Sequence, residues 1–188
     1  MNQLTQESLI FWSSYRPEKP AEYLATSSAA YRDDLIDALA HYAPFKSVLE
    51  IGCNSGPNYD RLNAAFGAQN YTGLDINKEA LDYFHKRAPD VKFIYGSILN
   101  FQSQSSITKF DLVFTSSLLS LIAPEDVMLA IHNIAHLSSR LIVIQEPKIE
   151  KHNGIFHQWN HDYLNLFKDY PEFEWSEDNG IIIGVCDV

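Results

Sequence analysis

The chain alternates between short, continuously apolar runs and longer stretches whose apolar residues recur every three or four positions. The runs lie at residues 46–51, 70–76, 91–95, 110–115 and 140–145. Consecutive apolar residues imply burial on both faces, the pattern of strands inside a covered parallel sheet. The stretches between them read as helices with one packing stripe each. Over 21–42 the stripe is Leu24, Ser28, Tyr31, Leu35, Ala38, Leu39 and Tyr42, and Pro44 ends it. Over 58–66 it is Tyr59, Leu62, Ala65 and Phe66, closed by Gly67. Asn77 can cap a helix that continues to residue 88, with Leu81, Phe84 and Ala88 inward and Pro89 behind it. Over 124–137, Pro124 suits the first turn and Glu125 and Asp126 suit the positive helix end. Val127, Ala130, Ile131 and Ile134 face inward there.

The pattern changes after Pro147. Residues 148–157 are a polar loop, 160–168 read as a helix, and 173–176 and 181–187 as two strands. Glu177-Asp178-Asn179-Gly180 joins them, and Asn-Gly between apolar runs signals a hairpin. The expectation is one α/β domain over 1–188: five strand–helix units of a doubly wound parallel sheet, then an antiparallel hairpin at 172–188. Ahead of it, 1–20 is rich in aromatics (Phe11, Trp12, Tyr15), and Pro17 and Pro20 stop any helix there. That segment is a flap over a site or a packing arm, and both readings stand.

Composition narrows the classes. With 188 residues, 46% hydrophobic and 20% charged, the chain can bury a full core. Its formal net charge of -10, with basic residues scattered, disfavours long contacts with nucleic-acid phosphates. Cys53 and Cys186 lie far apart with no Cys-x-x-Cys pattern, so a thiolate metal site is not expected and reduced thiols in the cytoplasm are. The first residues do not look like a signal peptide, and no apolar run is long enough to span a membrane.

Chemistry concentrates after the first strand. Val48-Leu-Glu-Ile-Gly-Cys-Asn-Ser-Gly-Pro-Asn58 runs from a strand through a glycine turn into a helix start. Gly52 and Gly56 can take positive φ and let a ligand press on the backbone, and Asn54 is among the few other residues that visit that region. Strand, glycine turn and helix N-terminus together make a nucleotide cradle. The spacing lacks the glycines of the G-x-G-x-x-G dehydrogenase fingerprint at Asn54 and Tyr59.

Four further stretches follow in order: G-L-D ending the second strand, I-Y-G-S after the third, F-D-L-V-F-T-S at the fourth and R-L-I-V-I-Q-E-P at the fifth. With the glycine turn and the terminal hairpin, this set resembles the class I S-adenosylmethionine-dependent methyltransferases of small-molecule type. The resemblance is close over 46–147 and topological over the hairpin. It implies a Rossmann-like sheet and S-adenosylmethionine as cofactor. Glu50, Gly52, Cys53, Asn54 and Gly56 would form the donor loop, and Asp75 would accept from the ribose diol. Ile76, Gly96, Ser97 and Ile98 would border the adenine, and Thr115 and Ser116 the methyl end. Ser97 stands where the family commonly has an acidic residue, and Leu121 where many relatives carry a histidine.

The acceptor side is expected in the N-terminal arm, residues 1–45, and the insertion 148–171. Glu146 is a candidate base or a loop anchor. His161, beside Asp162, is a second candidate base, with Trp159 and Tyr163 as pocket walls. The alternative makes Trp159, Tyr163 and Phe167 a packing face with His152, His157 and His161 solvated. His132 and His136 have helical ligand spacing, but Asn133 replaces the glutamate of a zinc-protease motif, so no metal is expected. Arg32 either reaches the cofactor carboxylate or lies on the surface. The expected partner is a small-molecule acceptor, a sugar or related metabolite, with no nucleic acid and no membrane. The oligomeric state is not legible. A non-catalytic cofactor-binding protein of the same fold is the alternative.

Overall fold

The computed structural model describes residues 1–14, 29–67, 70–101, 109–149 and 158–186. Residues 21–28 of the helix expected over 21–42, together with His152 and His157, fall outside them. Seven strands form one sheet: β1 (Val48–Ile51), β2 (Tyr71–Asp75), β3 (Lys92–Tyr95), β4 (Phe110–Ser116), β5 (Ser138–Gln145), β6 (Glu174–Asp178) and β7 (Ile181–Val185). Their order is β3-β2-β1-β4-β5-β7-β6. Pairing is parallel from β3 to β5 and antiparallel on both sides of β7. The Rossmann-like seven-stranded architecture with its terminal hairpin is therefore present. The helices are α1 (Gln3–Ser14), α2 (Ala29–Ala40), α3 (Pro57–Phe66), α4 (Lys78–Arg87), α5 (Pro124–Leu137) and α6 (Tyr163–Phe167).

Successive strand residues point to opposite faces, and both faces are apolar. Val48, Leu112, Phe114, Leu141, Val143, Ile181 and Ile183 pack under α2, α3 and α4. Leu49, Ile51, Val113, Ile142, Ile144 and Ile182 pack under α5 and α6. This two-sided burial is why the strands read as unbroken apolar runs. The sheet turns its winding direction between β1 and β4, which opens a crevice at their carboxyl ends. At the opposite ends, Arg140 donates to both carboxylate oxygens of Asp111, at 2.7 and 3.0 Å, and Lys46 N–H adds a bond at 2.8 Å. That cluster ties β4 to β5 away from the crevice.

Three elements depart from the sequence reading. The aromatic N-terminal segment contains a full helix, α1, with Thr5 and Ser8 buried on it. Helix α6 starts at Tyr163 rather than near 160, because the Asp162 side chain caps it through Asn165 N–H at 3.2 Å. Strand β5 begins directly at the end of α5, at Ser138, with a register shift between Phe110 and Leu112. In the hairpin, Asn179 and Gly180 both have positive φ, 50° and 78°, as a tight two-residue turn requires.

Candidate functional site

The turn after β1 is built on left-handed backbone. Gly52, Asn54 and Gly56 have φ of 82°, 46° and 86°. Gly52 N–H donates to Leu74 O at 2.7 Å, which keeps the turn against β2. A Cβ on Gly56 would sit 2.4 Å from the Phe84 ring, so the turn packs directly on α4. Asn54 satisfies its own strained position by accepting from Ser55 N–H at 2.7 Å.

Asp75 ends β2 beside this turn. Its Oδ2 accepts from Asn54 N–H and its Oδ1 from Asn77 N–H, both at 2.7 Å. Burial raises its pKa, while the Asn77, Asn54 and Ile76 N–H groups pull it back toward the charged form. After β3, Ser97 caps a short 3-10 turn, Ile98–Asn100, through Leu99 N–H at 3.2 Å. Asn133 on α5 holds the Ile98 carbonyl at 2.6 Å.

After β4 the chain enters a second polar arrangement. Ser117 has φ of 61°, its N–H donates to Gln145 O at 2.9 Å, and its Oγ reaches the Tyr31 hydroxyl at 3.3 Å. Tyr31 itself donates to Gln145 O at 3.0 Å. Burial pushes the Tyr31 pKa up to about 12, so it stays a neutral phenol. Ser116 donates to the Gln145 side chain at 2.9 Å.

These parts surround one cleft at the carboxyl ends of β1, β2, β3 and β4. It encloses about 790 Å³ of empty space, open mouth included. Eight of the residues expected at a donor site line it: Gly52, Asn54, Asp75, Ile76, Gly96, Ser97, Ile98 and Ser116. Ser117, Leu118, Leu121 and Ile122 continue the wall after β4. Thr5, Ser8, Leu9 and Trp12 of α1 complete it. The N-terminal arm was expected as a flap over a site or a packing arm, but not as a helix with these four residues in the cleft lining. Their spacing of three and four is helical, but two of the four are hydroxyl residues, so no apolar stripe announces the face.

The other expected donor residues lie off the cleft lining. Glu50 is 1% exposed and on the α3 side of the sheet, because strand periodicity puts it on the same face as Val48. It accepts from Tyr71 and, at 2.8 Å, from Asn58. Burial raises its pKa to about 8, so it is largely a neutral acid at neutral pH. Cys53 and Gly56 are buried in the turn, and Thr115 is fully buried at the end of β4. Arg32 is buried rather than superficial, with its charge near Glu50.

The two candidate bases also lie off the lining. Glu146 accepts from Leu118 N–H at 2.9 Å, Leu119 N–H at 2.8 Å and Ser120 N–H at 3.1 Å, with Thr115 Oγ1 at 3.3 Å. Burial raises its pKa against the pull of those N–H groups. It is the anchor of the loop after β4. His161 places Nε2 at 3.1 and 3.0 Å from the carbonyls of Leu119 and Ile122. A nitrogen facing two acceptors carries the proton, so Nε2 is a donor and not a base. Trp159 N–H fixes the same loop through Ser120 O at 2.9 Å. His132 and His136 sit ring beside ring on α5, 4.2 Å between centroids. Among the described residues, no three His, Cys, Asp or Glu side chains are grouped as metal ligands. No helix among them is long and apolar enough to cross a membrane.

A family described as a methyltransferase domain matches residues 48–139. A search of curated proteins gives no significant match. Among solved structures, magnesium protoporphyrin IX methyltransferase from Synechocystis PCC 6803, with S-adenosylmethionine bound, superposes with a TM-score of 0.75. Identity is 15%, over 100% of this chain and 99% of that one. An amino pentose methyltransferase from Micromonospora echinaspora superposes with a TM-score of 0.69 and 12% identity, over 92% of this chain and 98% of that one. The N-methyltransferase NodS from Bradyrhizobium japonicum, in complex with S-adenosyl-L-homocysteine, gives 0.66 and 14%, over 97% of each chain. Residues 48–139 thus match a methyltransferase domain, and the sheet order and terminal hairpin agree with the fold of these structures.

Proposed function

We propose that the chain transfers the methyl group of S-adenosylmethionine to a small-molecule acceptor of the sugar or related-metabolite class, with the donor seated in the cleft at the carboxyl ends of β1 to β4. The observation that carries this reading is Asp75. Its two oxygens stand at the cleft wall, each taking one backbone N–H at 2.7 Å. A carboxylate has about four acceptor sites, so both oxygens can still accept from a vicinal diol. The donor set therefore suits a ribose. Gly52 and Asn54 offer backbone to the amino-acid end, and Ile76 and Ile98 offer apolar surface to the base. Ser116 and Ser117 border the methyl end.

Glu50, Cys53, Gly56 and Thr115 support this site from behind: Glu50 under the turn, Gly56 against Phe84, and Thr115 on Glu146. Glu146 acts as a positioning residue, since both its oxygens accept from the loop after β4, and His161 helps to hold the same loop through Nε2. The bound sulfonium supplies an electrophilic methyl carbon. The protein's own task is to orient the acceptor in line with it and to exclude water. The cleft's size supports a small acceptor, and two structural neighbours are described as acting on an amino pentose and on magnesium protoporphyrin IX. The net charge of -10 supports the absence of a nucleic-acid partner. The free thiols of Cys53 and Cys186 support a cytoplasmic location.

Calorimetry of the full chain with S-adenosylmethionine and S-adenosylhomocysteine tests the donor site. Both bind, and Asp75→Ala weakens binding about a hundredfold, from two lost bonds to a charged acceptor. A folded wild type that binds neither compound overturns the reading. A panel of amino sugars, deoxysugars and porphyrin acids, assayed for S-adenosylhomocysteine release, tests the acceptor class.

A further inference from the structure

Helix α1 crosses the cleft with Thr5, Ser8, Leu9 and Trp12 at the wall. Their spacing is i, i+3, i+4 and i+7, a single helical stripe. Thr5 and Ser8 on it are buried, whereas Ile10, off the stripe, is 68% exposed. The stripe is the inward face of α1, and Trp12 is its last member. Both ends of the helix are fastened across the cleft. Thr5 Oγ1 accepts from Ala123 N–H at 3.0 Å, and Asn2 N–H donates to Asp126 at 2.6 Å. At the far end, the Trp12 carbonyl accepts from Asn77 Nδ2 at 3.0 Å.

Asn77 does three things at once. Its N–H holds Asp75 Oδ1, its side-chain oxygen caps α4 through Ala80 N–H at 3.0 Å, and its amide pins Trp12. Trp12 is thereby set at the β2 and β3 end of the cleft, with Asp75, Ile76, Ser97 and Ile98, while Thr5 lies at the β4 end. Ser97 already accepts from Leu99 N–H and carries no charge. A purine amino edge there meets a neutral hydroxyl, so the base must be held mainly by contact with its faces.

Resting on the donor assignment above, we propose that Trp12 is a cofactor-binding residue whose indole covers the adenine end of S-adenosylmethionine, enclosing the base together with Ile76 and Ile98. Affinity at this end comes from an aromatic cover carried by the N-terminal helix. Such contact tolerates a weak polar edge because every base has a π-face.

The test uses the full chain and S-adenosylhomocysteine as the probe, followed by calorimetry and by tryptophan fluorescence. The chain has three tryptophans, Trp12, Trp159 and Trp175. Binding is expected to change the wild-type fluorescence. Trp12→Phe is expected to bind within about threefold of wild type, since a ring remains, and to lose most of that signal. Trp12→Ala is expected to bind roughly ten- to a hundredfold more weakly. If Trp12→Ala does not fold, the phenylalanine variant decides alone. A wild-type fluorescence response retained in Trp12→Phe overturns the proposal, as does Trp12→Ala binding as tightly as wild type. Failure of the donor assignment looks different: wild type and every variant then give no binding heat, and both readings fall together.

Discussion

Glu50 and Asp75 stand on adjacent strands, yet their surroundings give them opposite tasks. Asp75 meets backbone N–H groups at the cleft wall, while Glu50 meets Tyr71 and Asn58 beneath α3. Burial lifts Glu50 from its ordinary 4.5 to about 8. The folded state then holds the proton more tightly than the unfolded state does, so its stabilising contribution is complete below 4.5 and disappears as pH rises through about 8. Glu50→Gln, which cannot ionise, should gain on wild type by up to about 1.4 kcal/mol per pH unit across that window. Thermal melts of both proteins from acid to mild alkali measure it, and parallel curves would contradict it. Glu146 invites a kinetic test. As a loop anchor, its removal in Glu146→Ala should lower turnover while S-adenosylhomocysteine affinity stays within about threefold of wild type. The residual activity should keep the wild-type pH profile; loss of the acid limb would mark Glu146 as a base.

At the scale of elements, the turn between β1 and α3 is the least tolerant. Gly56 combines φ of 86° with a Cβ position 2.4 Å from Phe84. Gly56→Ala should cost about 2–4 kcal/mol, from left-handed backbone and overpacking together. Urea unfolding gives that number directly. The β4–β5 junction at the far end is electrostatic instead. Burial alone would raise the Asp111 carboxyl, but Arg140 and Lys46 hold it below its ordinary 3.8. That stabilisation is present above 3.8 and is lost as pH falls through the lowered value. Asp111→Asn should therefore be less stable than wild type at neutral pH, and the gap should close in strong acid. A gap that is constant with pH would mean the pair contributes only packing.

At the scale of the whole molecule, the cleft joins elements that are remote in sequence: α1, the turns after β1, β2 and β3, and the loop after β4. A ligand there should stabilise the fold by linkage, about 2.7 kcal/mol at a hundredfold excess over Kd. Wild type should show a clear rise in melting temperature with S-adenosylhomocysteine. Asp75→Ala should show little at the same concentration. An equal rise in both would place the ligand elsewhere.

The parallel sheet was legible in the sequence because burial on both faces writes itself as unbroken apolar runs, and the hairpin because Asn179-Gly180 has few other uses. The left-handed turn after β1 and the placing of Asp75 at the cleft were legible because strained backbone and a strand-end carboxylate restrict residue type locally. Three things were not. Glu50 looks like part of the donor loop along the chain, and only strand periodicity in three dimensions turns it behind the cleft. Glu146 carries the right atoms for a base, yet both its oxygens accept from the loop after β4, and Nε2 of His161 is turned to the carbonyls of the same loop. The face of α1 is half polar, and the Thr5 hydroxyl makes sense only against Ala123 N–H in the loop after β4. Local backbone restriction is encoded in neighbouring residues; which polar atoms are already spent depends on partners that only the folded chain brings together.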